Sequence, residues 1–140
     1  MRSPTAADTA VLADLMMDAY RGTIDFEGTE TWDVAWREVD DFFQGSLGAP
    51  LLDCSWLVLV EDEIAAACLV GMWDERQRPL LYYVMTAANW KGQGLAGIAL
   101  QQALQAAANA GYSELYAFIT AGNVPSEKLC QRAGFKRLRG

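Results

Sequence analysis

One segment, residues 80–111, limits what this chain can fold into more than any other. Residues 80–86 are aromatic and aliphatic and predict a strand. A loop with glycines follows at residues 88–94, and the Ala-, Leu- and Gln-rich residues 95–110 predict a long helix that ends at Gly111. A strand that passes through glycines into a helix lets the backbone approach a ligand closely, because glycine has no side chain in the way.

The rest of the chain places helices and strands around this segment. Thr5 and Asp8 form a capping pattern ahead of an amphipathic helix over residues 6–20. A second helix is predicted from Thr31, and its apolar stripe is Trp32, Ala35, Trp36, Val39 and Phe43. The remaining predictions are strands over residues 55–60, 64–72, 112–120 and 135–138 and a short helix over residues 124–132. The order α-α-β-β-β-α-β-α-β predicts a single domain over residues 1–140, of α/β or α+β class, with a mixed sheet and helices in three layers.

Composition and charge exclude several kinds of function. With 52% hydrophobic and 21% charged residues the chain is globular, and no apolar run is long enough to span a membrane. A formal charge of −7 argues against a nucleic-acid partner. The absence of histidine excludes a zinc site built on imidazole and any histidine base, and we expect no metal. Three widely spaced cysteines make no disulfide framework and residues 1–8 resemble no signal peptide, so a cytoplasmic protein is expected.

The glycine loop has the chemistry of a pyrophosphate site. The amides of the first helical turn lack partners within the helix and point into the loop, where they favour phosphate oxygens. Lys91 adds a positive charge for a charge-assisted contact. The alternative is a tight turn whose glycines serve only geometry.

Gly92, Gly94 and Gly97 also match the spacing of the dinucleotide-binding fingerprint. That fold needs a carboxylate at the end of the next strand, roughly 20 residues on. Residues 118–121 contain none, and too little chain follows Gly97 to complete such a fold. No Gly-Lys-Ser/Thr sequence marks a nucleotide-triphosphate loop either. The spacing therefore argues for a phosphate ligand of another kind.

Two motifs resemble those of the GNAT family of N-acetyltransferases. Residues 91–96, Lys-Gly-Gln-Gly-Leu-Ala, are similar to the family pattern Gln/Arg-x-x-Gly-x-Gly/Ala, with lysine in the first place. Asn123 followed by Gly134 and Phe135 resembles a second family motif. The resemblance covers almost the whole chain. It implies a three-layer fold with a mixed, mostly antiparallel central sheet flanked by helices, shortened at both termini.

The resemblance also implies roles for residues along these motifs. The strand would pair with the pantetheine arm of acetyl-coenzyme A, and one amide, at Met85 or its neighbour, would stabilise the oxyanion of the tetrahedral intermediate. The loop and the helix start would hold the pyrophosphate, and two later residues would contact the arm from the other side. The implied cofactor-binding residues are Val84, Met85, Thr86, Lys91, Gly92, Gln93, Gly94, Leu95, Ala96, Asn123 and Ser126.

The proton-transfer groups depart from the family pattern. Cys130 stands where family members often have the tyrosine that protonates the departing thiolate. A free cysteine has a pKa of about 8.5 and could donate that proton, or Cys130 could be inert packing on its helix. A further alternative is that a nearby phenol supplies the proton, from Tyr82, Tyr83 or Tyr116. Residues 80–86 contain no carboxylate, so the candidates for the base are Asp25, Glu27 and Glu30, with Glu27 as the first choice. The alternative for this acidic loop is simple exposure to solvent.

These features predict an enzyme that transfers an acetyl group from acetyl-coenzyme A to a primary amine by direct attack, without a covalent enzyme intermediate. The acceptor would be a small molecule, an amino acid or a basic side chain. One alternative is a non-catalytic acyl-coenzyme A sensor, which the unusual Cys130 favours, and another is a purely structural partner protein. Little chain precedes the first helix or follows Gly134, so we expect an uncovered sheet edge and a homodimer that covers it.

Overall fold

The computed structural model describes residues 1–20, 31–118 and 124–136. The helices are α1 (Thr9–Tyr20), α2 (Trp32–Gln44), α3 (Leu95–Asn109) and α4 (Val124–Arg132). The strands are β1 (Trp56–Val60), β2 (Glu63–Trp73), β3 (Arg78–Thr86) and β4 (Tyr116–Ala117). Short 3-10 turns at Ala6–Asp8, Leu52–Cys54 and Ala88–Trp90 lie before α1, before β1 and after β3. The order of elements agrees with the predicted order as far as α4.

The four strands form one sheet in the order β1-β2-β3-β4. β2 is antiparallel to both of its neighbours, β1 and β3, and β4 lies parallel to β3. The turn between β1 and β2 uses Glu61 and Asp62, whose φ angles of 53° and 67° are the left-handed values of a tight hairpin turn. The expectation of a mixed, mostly antiparallel sheet is confirmed.

Helices pack on both faces of the sheet and form two clusters of buried side chains. α1 and α2 cover one face, where Leu12 and Phe42 are among the most deeply buried residues. α3 covers the other face with Leu100, and Leu129 of α4 packs against the same cluster. Burial of apolar surface on both faces is the main source of stability for such a domain. The predicted three-layer arrangement is therefore confirmed.

The buried side of α2 differs from the predicted stripe. The buried residues of this helix are Ala35, Val39 and Phe42. Trp32 and Trp36, which the spacing assigned to the stripe, are 42% and 37% exposed. The indole Nε1 of Trp32 donates a 2.7 Å hydrogen bond to Asp14 of α1. The large indole keeps its polar N–H at the surface, where a partner is available, and this is why the apolar spacing misjudged the buried side.

A β-bulge at Tyr82 changes which side of the sheet each residue of β3 faces. Leu69 of β2 pairs with Tyr83, whereas the next residue, Val70, pairs with Leu81, so Tyr82 is the extra residue. In a regular strand Leu81 and Tyr83 would share a face. Here Leu81 belongs to the cluster under α3, whereas Tyr82 and Tyr83 both pack on the α1–α2 side. The bulge thus reorients the part of β3 that leads into the glycine loop.

Both edges of the sheet are short within the described residues. Arg2 forms a single antiparallel bridge to Leu57, with backbone hydrogen bonds of 3.1 and 2.7 Å. β4 is shorter than the strand predicted over residues 112–120, of which residues 119–120 lie outside the described part. Of the last predicted strand, residues 135–136 are not in a strand and residues 137–138 lie outside the described part. Among the helices described, none has the length and apolar character needed to cross a membrane.

Candidate active site

The glycine loop between β3 and α3 uses backbone conformations that favour glycine. Gly92 and Gly94 have φ angles of 81° and 77°, in the left-handed region that a side chain disfavours. A Cβ built on either residue would meet no atom of the described residues within 4 Å. The backbone turn, and not crowding by neighbours, therefore requires both glycines, and they border open space that a ligand can enter.

α3 begins at this loop without a side-chain cap. Gly94 is the N-cap residue, and the Ile98 amide donates the first hydrogen bond of the helix to the Gly94 carbonyl at 3.1 Å. The amides of Leu95, Ala96 and Gly97 have no partner within the helix, and no group in residues 1–20, 31–118 or 124–136 accepts from them. Free N–H groups at the positive end of a helix dipole favour a phosphate group. These three amides are therefore available to a phosphate group, and the pyrophosphate site stays a prediction.

The register of β3 decides which of its amides face β2. The Ala87 amide donates to the Ala65 carbonyl of β2 at 2.8 Å. Successive N–H groups of a strand point to opposite edges, so the Met85 amide also faces β2. The amides of Val84 and Thr86 point to the other edge, the one on which β4 lies. This edge is the one along which the pantetheine arm is expected.

This register corrects the assignment of Met85 as the oxyanion donor and transfers it to a neighbour. Met85 directs its amide toward β2, and its side chain is 1% exposed in the α1–α2 cluster. Among the described residues, β3 pairs with β4 at Leu80 and Leu81, and β3 continues to Thr86. Thr86, a neighbour whose amide faces this edge, is therefore the candidate for this donor.

Lys91 binds protein backbone where a phosphate contact was predicted. Its Nζ donates a 2.8 Å hydrogen bond to the carbonyl of Ala19 in the last turn of α1. That turn has no basic residue of its own, so the ammonium group satisfies a terminal carbonyl and complements the negative end of the helix dipole. In this structure Lys91 connects the glycine loop to α1, and its contact with a phosphate stays a prediction.

Cys130 is buried in α4 and is 5% exposed. Burial raises the pKa of its thiol. Burial, and to a lesser degree the nearby Cys130, also raises the pKa of the Cys68 thiol on β2 far above its usual range. Both thiols are protonated near neutral pH and are weaker acids than a free cysteine. This position supports the packing interpretation of Cys130, and its role as an acid stays a prediction.

A carboxylate that the sequence did not single out lies beside β3. The hydroxyl of Tyr83 donates to Oε2 of Glu38 on α2 at 3.4 Å. Tyr83 directly precedes Val84, so the pair lies on the α1–α2 face next to the cofactor edge of β3. The two residues are 45 positions apart in the chain. Since only the packing of α2 on the sheet brings them together, no local pattern could have indicated the pair.

Several predicted site residues are not described. Glu27 and Asn123 lie outside the described residues, and Ser126 lies in α4 but its side chain is also outside them. Gln93 is exposed between the two glycines of the loop. Within the three described ranges, no group of His, Cys, Asp or Glu side chains is arranged to hold a metal ion.

A groove of 490 Å³ lies between α1 and the β1–β2 turn and reaches Ala87, the residue after β3. Its lining combines apolar side chains with five carboxylates and one arginine. Three of its carboxylates have structural partners, since Asp8 pairs with Arg2, Asp14 accepts from Trp32, and Asp18 accepts from the Ala88 amide. These carboxylates therefore serve first to join α1 to neighbouring segments.

Comparison with known proteins gives a family for the chain. A family model described as an acetyltransferase (GNAT) domain matches residues 1–136. A search of the curated proteins found no match to the sequence.

Solved structures share the fold at low sequence identity. An aminoglycoside 6'-N-acetyltransferase from Acinetobacter haemolyticus has a TM-score of 0.73 at 12% identity, over 99% of this chain and 92% of that one. A ribosomal-protein-alanine N-acetyltransferase from Brucella melitensis has a TM-score of 0.72 at 21% identity, over 96% of this chain and 83% of that one. A protein from Pyrococcus horikoshii OT3 has a TM-score of 0.78 at 18% identity, over 100% and 88% of the two chains. These likenesses extend over the whole fold.

Proposed function

Since this chain belongs to the acetyltransferase (GNAT) family, we propose that it transfers an acetyl group from acetyl-coenzyme A to a primary amine. The start of α3 is the observation that carries the proposal. There the amides of Leu95, Ala96 and Gly97 have no acceptor among the described residues, directly after the left-handed Gly92 and Gly94. A pyrophosphate is the part of coenzyme A that such a group of amides binds best.

The proposed chemistry is a direct acyl transfer. The amine nitrogen forms a bond to the carbonyl carbon of the thioester, and the carbon–sulfur bond breaks. The amine loses one proton, and the departing thiolate gains one. Negative charge develops on the carbonyl oxygen in the tetrahedral intermediate, and the N–H group of Thr86, on the edge of β3 that faces β4, would stabilise it.

Glu38 is the residue that we propose to receive the amine. With the phosphates at the start of α3 and the arm along the edge of β3, the acceptor approaches from the α1–α2 face, where Glu38 lies. The Tyr83 hydroxyl, 3.4 Å from Oε2, orients this carboxylate. A carboxylate there attracts an ammonium group and accepts its proton, directly or through water. Glu27 stays an alternative base, and Cys130 stays a candidate acid.

The proposed acceptor is a small molecule, an amino acid or a basic side chain. The solved structures of similar fold include enzymes that are named for aminoglycosides and for the alanine of a ribosomal protein. At 12% and 21% identity, these neighbours support the amine class and no single compound.

We also propose that the chain forms a homodimer through the β4 edge. Phe118 directly follows β4, is 71% exposed, and has its ring centroid 5.0 Å from that of Trp73. An exposed aromatic ring that packs against a half-buried one at a sheet edge favours contact with another protein surface. Light scattering at micromolar concentration should give the mass of two chains, and a clean monomer would contradict this proposal.

Thermal unfolding with millimolar acetyl-coenzyme A, and with NADH as the control ligand, tests the cofactor. A ligand at about 100 times its dissociation constant stabilises by about 2.7 kcal/mol, which raises the melting temperature by several degrees. Release of the coenzyme A thiol in the presence of a panel of primary amines then tests turnover. Stabilisation with turnover supports the proposal, and stabilisation without turnover supports the sensor alternative. No stabilisation by acetyl-coenzyme A would overturn the proposed function.

A further inference from the structure

Two hydrogen bonds of opposite direction join the last turn of α1 to the loop that carries the glycines. The Ala88 amide donates to Oδ2 of Asp18 at 2.7 Å. The Nζ of Lys91 donates to the Ala19 carbonyl at 2.8 Å. The contacts lie at the two ends of the 3-10 turn Ala88–Trp90 and its C-cap Lys91, directly before the first glycine. The loop is therefore attached to α1 on both sides of this turn.

Each of these hydrogen bonds includes a charged side chain, and such bonds are stronger than hydrogen bonds between neutral groups. Both bonds reach the last turn of α1, which is packed into the core, since Ala19 is 5% exposed within the α1–α2 cluster. The glycines that follow have no such support. In the part of the chain that the structure describes, no atom lies within 4 Å of the position that a Cβ would take on Gly92 or Gly94, and glycine has wide backbone freedom. The conformation of the loop thus depends on its attachment to α1.

We propose that Asp18 and Lys91 are positioning residues of the acetyl-coenzyme A site. They hold the loop in the conformation in which the amides at the start of α3 reach the pyrophosphate, and neither side chain contacts the phosphates. This inference rests on the proposed function. It adds a role for a carboxylate, Asp18, that lies outside the family motifs seen in the sequence.

A purely electrostatic role and a positioning role predict opposite effects of removing the Asp18 carboxylate on the affinity for acetyl-coenzyme A. Coenzyme A is an anion, so loss of the Asp18 charge would tighten its binding, whereas loss of the Lys91 charge would weaken it. If both residues hold the loop, removal of either one weakens binding to a similar extent. Removal of the second residue then adds little, because the loop has already been released.

The test measures the dissociation constant of acetyl-coenzyme A by calorimetry for the full chain and its variants. We expect Asp18→Ala and Lys91→Met each to bind about five- to tenfold more weakly, and the double variant no more than about twofold more weakly than either. Lys91→Arg, which keeps a donor for the Ala19 carbonyl, should retain most of the affinity. Asp41→Ala, which removes an exposed carboxylate from α2, is the matched control and should bind like the wild type.

Turnover separates positioning from a general loss of structure. The KM for acetyl-coenzyme A should rise in both single variants while kcat at saturation stays close to that of the wild type. Tighter binding by Asp18→Ala would overturn the proposal. A double variant whose loss is the product of the two single losses would overturn it as well.

A second measurement needs no ligand. Amide hydrogen exchange in residues 88–95 of the free protein should accelerate in Asp18→Ala and Lys91→Met and not in Asp41→Ala. Unchanged exchange in both variants would overturn the proposal, even if acetyl-coenzyme A binds. If exchange accelerates but the wild type binds no acetyl-coenzyme A, the attachment of the loop stands and the proposed function fails.

Discussion

The ring of Tyr82 occupies the space that a side chain at Gly71 would need. A Cβ built on Gly71 would lie 2.5 Å from Cε2 of Tyr82. The hydroxyl of the same tyrosine lies 2.6 Å from the Leu47 carbonyl and 2.9 Å from the Met72 carbonyl. Tyr82 thus joins the loop after α2 to β2 at the position of the bulge, and the absence of a side chain at Gly71 permits it.

Gly71→Ala is expected to lower the free energy of unfolding by about 1–3 kcal/mol, because the added methyl group forces Tyr82 from its place. Gly97→Ala in α3 is the matched control. A Cβ there would lie 3.7 Å from Cδ1 of Leu129, an ordinary contact, and helix propensity predicts a gain of about 0.5–1 kcal/mol. Denaturant unfolding measures both changes. A Gly71→Ala variant as stable as the wild type would contradict the close packing of Tyr82.

Gly94→Ala is expected to damage both the fold and the cofactor site. Its φ of 77° makes a side chain there cost about 1–2 kcal/mol of stability, and Gly94 is the N-cap residue directly before the amides at the start of α3. Gly111, with a φ of 92°, is the control, since Gly111→Ala has a similar backbone cost at the other end of α3. Calorimetry should show that acetyl-coenzyme A binds at least tenfold more weakly in Gly94→Ala alone, a loss of about 1.4 kcal/mol or more of binding free energy. Equal affinities in the two variants would argue against the pyrophosphate site.

Glu38→Gln is expected to lower kcat by about 10²-fold, because the amide keeps the shape of the side chain but cannot accept a proton from the amine. Tyr83→Phe should have a smaller effect, because it removes only the hydroxyl that orients Glu38. Steady-state kinetics with a primary amine measures both. Asp41→Asn, on the exposed side of α2, serves as the control. A Glu38→Gln variant with normal kcat would contradict the role of Glu38 and favour Glu27 as the base.

The pairing of Arg2 with Asp8 is expected to make stability depend on pH in the acid range. Arg2 donates hydrogen bonds of 2.8 and 2.9 Å to the Asp8 carboxylate, and these hold the pKa of Asp8 below its usual value. The stabilisation is therefore complete above the unfolded pKa of about 3.9 and is lost as pH falls through the lower folded pKa. Denaturant unfolding should show Arg2→Met less stable than the wild type near neutral pH. This difference should narrow below about pH 3, and a difference independent of pH would contradict the ion pair.

The three cysteines are expected to react slowly with a thiol reagent in the folded protein. Cys54, Cys68 and Cys130 are all buried, and burial raises the pKa of each thiol, which lowers its thiolate fraction. Labelling with Ellman's reagent near pH 8 should therefore require unfolding, and added denaturant should release all three thiols together. Rapid labelling of one cysteine in the native protein would contradict its burial.

Local patterns predicted the helices and strands that have their signals nearby. The β1–β2 hairpin, the break between β3 and α3, and the start of α4 all lie within a residue or two of their predicted positions. The predictions failed for side chains that can lie either in the core or at the surface. Trp32 and Trp36 fit an apolar stripe by spacing, but the burial of Ala35, Val39 and Phe42 turned α2 so that both indoles are partly exposed.

The sequence by itself determined the glycine loop and the helix that follows it, because a left-handed backbone at Gly92 and Gly94 and a helical run are local properties of the chain. Only the tertiary structure decided what the neighbouring side chains do. The bulge and the register of β3 turn the Met85 amide toward β2. The ammonium group of Lys91 donates to the Ala19 carbonyl of α1, which lies 72 positions away in the sequence. These relationships depend on how elements pack and pair, and a linear pattern of residues does not contain that information.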